Sequence, residues 1–163
     1  MVLQASRLAR RHFLLGVIAS SSLFDRGALA APPGDRSTIH QEDDFAAPPH
    51  RIYAVLTEEK EFADATGAPA KIGMGEGGAF SLFGGAIVGR NIELVSDRRV
   101  VQAWRDTAWP PGLYSIARFE LRAADKGTHL TFDQGGYPLR DYVSLVSGWH
   151  SHYWEPMKKY FGN

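Results

Sequence analysis

The sequence predicts an α+β fold: a curved antiparallel sheet around one long C-terminal helix, with two short helices after the first strand. Three observations predict it. From Leu139 to Phe161 large apolar residues recur at Tyr142, Val146, Trp149, Tyr153, Met157 and Tyr160, in steps of three or four, so they share one helix face. From Ala79 to Gln134 short runs with strand character are separated by Gly-, Pro- and Asp-containing turn signals. A stripe this wide and aromatic needs a broad apolar partner, and a curved sheet is what the preceding chain offers.

Residues 1–30 read as an export signal. Arg7, Arg10 and Arg11 form a basic start, Phe13 to Phe24 is mostly apolar but too short to span a bilayer, and Ala28-Leu29-Ala30 has the form of a cleavage site. Arg10-Arg11-His12-Phe13-Leu14 resembles a twin-arginine signal, with Ala9 and Leu15 departing from the usual pattern. The expected mature chain starts at Ala31, is exported to a periplasmic compartment and has no membrane span. Residues 31–37, with Pro32-Pro33-Gly34, read as a flexible leader, and residues 38–161 as one domain.

Within that domain Thr38 to Phe45 is the first strand, despite the acidic run Glu42-Asp43-Asp44. Pro48-Pro49 opens a helix with Ile52, Val55 and Leu56 as its stripe, since Pro is tolerated in a first turn. Thr57 is the expected cap of a second short helix, Glu58 to Ala65, which Gly67 stops. Residues 73–78 are rich in Gly. No Gly-Lys-Ser/Thr follows, so they read as a mobile loop entering the sheet rather than a phosphate cradle. Strands are expected at Ala79 to Phe83, Ala86 to Val95 with Gly89 at a bulge, Val100 to Thr107, Tyr114 to Arg122 and Thr128 to Gln134. Gly148 is expected to admit a neighbouring backbone close to the long helix.

The 18 Lys and Arg balance the 18 Asp and Glu; setting residues 1–30 aside leaves 14 basic against 17 acidic. That balance argues against a nucleic-acid partner. Absence of Cys excludes disulfides, zinc thiolates, iron–sulfur clusters and Cys nucleophiles. His150 and His152, two apart on a helix, point to different sides, and His40, His50 and His129 lack partner spacing, so neither a metal nor another cofactor is expected. No nucleophile elbow or Ser-His-Asp order occurs, so no catalytic residue is singled out. Asp106 and Glu76 are the acids nearest the expected cavity.

Several fragments, in order, carry a family resemblance: Gly78-x-Phe80, Gly84-Gly85-x-Ile87-x-Gly89, Trp104-Arg105 with Trp109-Pro110, Tyr114-Ser115, Gly127-Thr128-x-Leu130, Gln134 with Pro138, and Gly148-Trp149-x-x-x-Tyr153-Trp154-x-Pro156 closing on Tyr160-Phe161. The chain resembles the activator of heat-shock protein 90 ATPase homologue family, specifically its C-terminal-type domain, within the START-like or SRPBCC superfamily. The resemblance implies a helix-grip fold with a cavity between sheet and helix. It also implies two kinds of partner: a small hydrophobic molecule, as bound across the superfamily, or another protein, since eukaryotic members stimulate a chaperone ATPase.

The expected ligand cavity is lined by Phe80, Leu82, Ile92, Leu94, Gln102, Trp104, Phe119, Leu130, Phe132, Gln134, Trp149 and Tyr153. Gln102 and Gln134 alternate into otherwise apolar faces and are the polar groups placed to hold a ligand; Gln134, at a strand end, would otherwise reach solvent. Arg105 faces the other way, with an ion pair or a stack on Trp109 as its expected role. Three functions remain open: binding of a small apolar ligand, a co-chaperone-like protein-binding module, and a cyclase- or isomerase-type enzyme using the same cavity.

Overall fold

A computed structural model describes residues 37–162; the expected signal and all of the leader except Ser37 lie outside the described residues. The described chain forms β1 (Thr38–Phe45), α1 (Pro49–Thr57), α2 (Glu59–Thr66), β2 (Ala70–Ile72), β3 (Ala79–Leu82), β4 (Ile87–Val95), β5 (Arg99–Asp106), β6 (Ser115–Ala124) and β7 (Gly127–Gly135). The C-terminal helix follows as α3 (Tyr142–Trp149), a π-helical turn (His150–Trp154) and α4 (Glu155–Phe161). The strands make one seven-stranded antiparallel sheet in the order β1-β7-β6-β5-β4-β3-β2, the START-like helix-grip arrangement.

Most expected elements form where their patterns place them, with four differences. β2 was not anticipated; three residues are too few for a visible alternation, and pairing with β3 creates the strand. Thr57 does not cap α2. Its hydroxyl donates 2.8 Å back to the Tyr53 carbonyl inside α1, and Glu58 occupies the cap. Gly89 is not at the bulge, which falls between Asn91 and Glu93. Instead Gly89 pairs with Phe80, and an added Cβ would lie 2.2 Å from the Phe80 ring and 2.1 Å from the Ala103 carbonyl oxygen, so only Gly lets that ring cross the strand. The loop over residues 73–78 is tied to β4: the Gly77 N–H donates to Asn91, the Asn91 N–H donates to Gly78, and the Arg90 guanidinium donates to the Gly77 carbonyl.

The fourth difference lies in the C-terminal helix. Pro156 has no N–H, and its ring would crowd the carbonyl four residues earlier, at His152, in a regular helix. The helix widens just before it, where the Glu155 N–H reaches the His150 carbonyl. This shifts the buried face. Leu145, Trp149, Tyr153, Trp154 and Met157 are buried, so Leu145 and Trp154 join the stripe, while Tyr160 is 39% exposed.

β1 is an edge strand whose outer face carries charge, a device that discourages sheet-to-sheet association. Its expected assignment survives the acidic run because Asp43 pairs with Lys158 of α4, while Asp44 meets His129 at 2.8 Å and His40 meets Asp133 at 2.7 Å across the β1–β7 pair. The bond to Asp133 raises the pKa of His40 above 6.5, its ordinary value. A raised His pKa stabilises the fold fully below that ordinary value, and the contribution is lost as pH rises through the folded value. His40→Ala is therefore expected to lower the unfolding midpoint slightly near pH 5.5 and not at pH 8.5, read by thermal melts at both.

Candidate functional site

The groove between sheet and helix is mostly filled. Trp149 packs against Phe132 at 4.3 Å, Tyr153 at 4.2 Å, Trp104 at 5.5 Å and Phe119 at 5.7 Å, and lies stacked with Trp154 at 5.7 Å between ring centroids. Two indoles in this cluster need acceptors because a buried N–H without one is costly. Trp149 Nε1 donates 2.7 Å to Gln134 Oε1, and Gln134 Nε2 donates 2.9 Å to Ser115 Oγ, which donates 3.0 Å to the Trp104 carbonyl. Trp154 Nε1 donates 2.6 Å to Gln41 Oε1, and Gln41 Nε2 donates 3.1 Å to the Val146 carbonyl. Gln134 and Gln41 thus pin the helix to the sheet at two places.

These bonds correct the expected roles of the glutamines. Gln134 is fully buried, reaches no solvent, and spends both ends of its amide on protein groups. Gln102 is also buried and donates 3.1 Å to Asn91 Oδ1 and 3.5 Å to the Leu56 carbonyl. Phe80, Leu82, Phe119, Leu130 and Phe132 fill the core, and Leu94 is half-buried against it. Ile92 departs from its expected place: the bulge turns it outward, 51% exposed. Arg105 takes the structural role, its guanidinium donating to the Trp109 carbonyl.

What remains open is a cavity of about 330 Å³ at one end of the groove, lined by Phe83, Ala86, Ile87, Trp104, Asp106, Ser144, Leu145, Gly148, Trp149, His152 and Tyr153. Of the residues expected to line it, Trp104, Trp149 and Tyr153 do. Ile92 faces out and Leu94 is half-buried, and the remaining ones are buried in the core away from the opening. Gly148 does not admit a neighbouring backbone; an added Cβ would meet only His152 Cδ2, at 4.0 Å, so this glycine leaves space in the cavity wall. Ser144 and His152 are exposed at the rim, and Gly148 is half-buried beside them. Asp106 shares it and accepts 2.8 Å from the Ala108 N–H. Glu76 lies elsewhere, accepting 3.0 Å from the Leu94 N–H.

Burial pushes the Tyr153 hydroxyl well above the usual phenol range, so it stays protonated; the hydrogen bond with the Trp104 side chain acts in the opposite direction. A neutral phenol is a hydrogen-bond donor here rather than a base. Among the described residues no three of His, Asp and Glu gather as metal ligands, and no helix is long and apolar enough to cross a membrane.

Residues 46–162 match the family described as "Activator of Hsp90 ATPase homolog 1-like protein". The chain belongs to this family. A Schizosaccharomyces pombe relative is 32% identical over 124 residues, covering 76% of this chain and 37% of that protein. The Homo sapiens protein "Activator of 90 kDa heat shock protein ATPase homolog 1" is 27% identical over 124 residues, with the same coverage of each. The chain thus spans little more than a third of these relatives' length. Among solved structures, an HSP90 activator from Plasmodium falciparum matches with a TM-score of 0.70 at 20% identity, covering 77% of this chain and 96% of that one. CalU16 from Micromonospora echinospora matches at 0.63 and 20%, covering 77% and 74%. At such identities these structures speak for the fold of this Hsp90-activator-like domain.

Proposed function

We propose that this member of the activator family binds a small apolar molecule in the cavity between β5 and the C-terminal helix. One observation carries the reading: about 330 Å³ stays open, walled largely by Phe83, Ile87, Trp104, Leu145, Trp149 and Tyr153, in a domain whose groove is otherwise packed with aromatic rings. The volume falls in the lower part of the range of ligand pockets, roughly 300–1,000 Å³. Its walls carry no Lys or Arg, which favours an uncharged ligand over an anion. The test is titration with N-phenyl-1-naphthylamine, a neutral fluorescent apolar probe. Saturable one-to-one binding is the expected outcome; a linear, unsaturable rise would remove the reading.

A second reading, a co-chaperone-like module acting on another protein, is favoured by the names of the relatives and by exposed Leu139 and Val143 where the C-terminal helix begins. It requires that the chain change the ATPase rate of an Hsp90-type chaperone; an unchanged rate at saturating chain would eliminate it. Export through the twin-arginine-like start remains our proposal for localisation. N-terminal sequencing of the protein from the periplasm should then begin at Ala31.

A further inference from the structure

One carboxylate stands in the cavity wall with no cation beside it. Strand periodicity puts it there. Trp104 and Asp106 are two residues apart near the end of β5, so their side chains leave the same face of the sheet, and Asp106 pairs across to Ile87 of β4. All three line the cavity. Arg105, between them, faces the other way and donates to the Trp109 carbonyl, so it forms no ion pair with its neighbour. Asp106 is half-buried, which leaves it within reach of a ligand.

The other carboxylates carried on strands are paired. Glu42 and Asp133 meet His40, Asp43 meets Lys158, Asp44 meets His129, Glu93 meets Arg99 and Glu120 meets Arg118. Asp106 has no such partner among the described residues. Its Oδ1 accepts 2.8 Å from the Ala108 N–H in the turn that ends β5. Its Oδ2 takes no hydrogen bond from a described residue, and no Lys or Arg lines the cavity. A carboxylate can accept several hydrogen bonds, so most of that capacity is left for water or a ligand.

The surrounding walls limit the class of ligand. Phe83, Trp104, Trp149 and Tyr153 are aromatic, and ring faces attract cations, whereas a carboxylate repels anions. Burial holds the Tyr153 phenol protonated, so it adds no second negative charge. An ammonium group brought beside a half-buried carboxylate offsets its lost hydration with a charge-assisted hydrogen bond. Resting on the proposed apolar-ligand function, we propose that the cavity selects apolar molecules bearing an ammonium group, with the Asp106 carboxylate holding the cation at the rim and the apolar part lying inside against Ile87, Leu145 and Trp149.

The experiment compares three naphthalene probes that differ in one group: 1-naphthylmethylamine, 1-naphthylmethanol and 1-naphthoate. Their affinities for the full chain are measured by titration calorimetry near pH 7, where the first is a cation and the last an anion. The amine is expected to bind roughly tenfold tighter than the alcohol, the worth of one charge-assisted hydrogen bond, and the carboxylate weakest. Asp106→Asn keeps an acceptor for the Ala108 N–H but removes the charge, and is expected to bring amine and alcohol to within about twofold of each other. Salt provides a second measurement on the unaltered chain, which decides the point should that variant fail to fold. The preference for the amine is expected to fall several-fold between about 20 mM and about 500 mM sodium chloride. An amine that binds no tighter than the alcohol, or a preference undiminished by Asp106→Asn or by salt, would overturn the ammonium inference; saturable binding of N-phenyl-1-naphthylamine would then leave the apolar-ligand function standing. Saturable binding of none of the three probes, together with none of N-phenyl-1-naphthylamine, would overturn both.

Discussion

Replacing Trp149 with alanine is expected to lower the unfolding midpoint by about 10–20 °C, corresponding to roughly 3–5 kcal/mol for a buried Trp→Ala change in a domain of this size. The loss has two sources. Trp149 is the hub of the aromatic cluster, in ring contact with Trp104, Phe119, Phe132, Tyr153 and Trp154, so its removal leaves a hole bordered by five rings that cannot all close in. It also strips Gln134 Oε1 of its donor in a site with no access to water. Thermal melts of the two proteins decide the point. A shift of only a few degrees would mean that the helix is held mainly by its second anchor, Trp154 on Gln41. Trp149→Phe separates the two sources, since it restores much of the volume but not the hydrogen bond; it should fall between wild type and Trp149→Ala.

The second large effect is on binding and has the opposite sign on stability. Gly148→Leu is expected to weaken binding of N-phenyl-1-naphthylamine at least tenfold while leaving the melting temperature unchanged or raising it. The steric reason is that an added Cβ at position 148 meets nothing closer than 4.0 Å, so the backbone accepts a side chain, yet that side chain must occupy the cavity wall. The energetic reason is that Gly in a helix interior costs about 1 kcal/mol relative to good helix formers. A helix that retains Gly at such a position gives up stability for open space. Probe affinity unaffected by Gly148→Leu would place the binding site elsewhere on the molecule. Reduced affinity with a lowered melting temperature would point to a damaged helix, and the cavity would then have to be probed from the sheet side, at Ile87.

These effects turn on features that local pattern reveals unevenly. Alternation in β6 puts Ser115, Ala117, Phe119 and Leu121 on one buried face, and alternation in β7 does the same for Leu130 and Phe132, because a two-residue period leaves no other way to bury them. The helical stripe was legible for Trp149, Tyr153 and Met157 but not for Trp154. A constant step of three or four assumes a regular helix, and the π-helical turn breaks that assumption; Pro156 was the signal that could have exposed it. Gln41 drew no attention for a different reason. Its partner Trp154 is more than a hundred residues away, and nothing in its neighbourhood marks it as an anchor.

Residue periodicity and short motifs sufficed for the longer strands, their antiparallel sheet, the closing helix and the family, because local geometry enforces each; β2, too short to show a period, needed its pairing with β3. Only the tertiary structure decided which apolar residues are core and which are cavity. Phe119, Phe132 and Trp149 read alike along the chain, yet the first two are sealed in the groove and Trp149 reaches its open end. Tertiary structure also decided that Gln102 and Gln134 are consumed by internal bonds. The physical reason is the same in both cases. Whether a side chain meets another atom or empty space depends on the sum of volumes packed from distant parts of the chain, and hydrogen-bond satisfaction depends on partners that only folding brings within 3 Å.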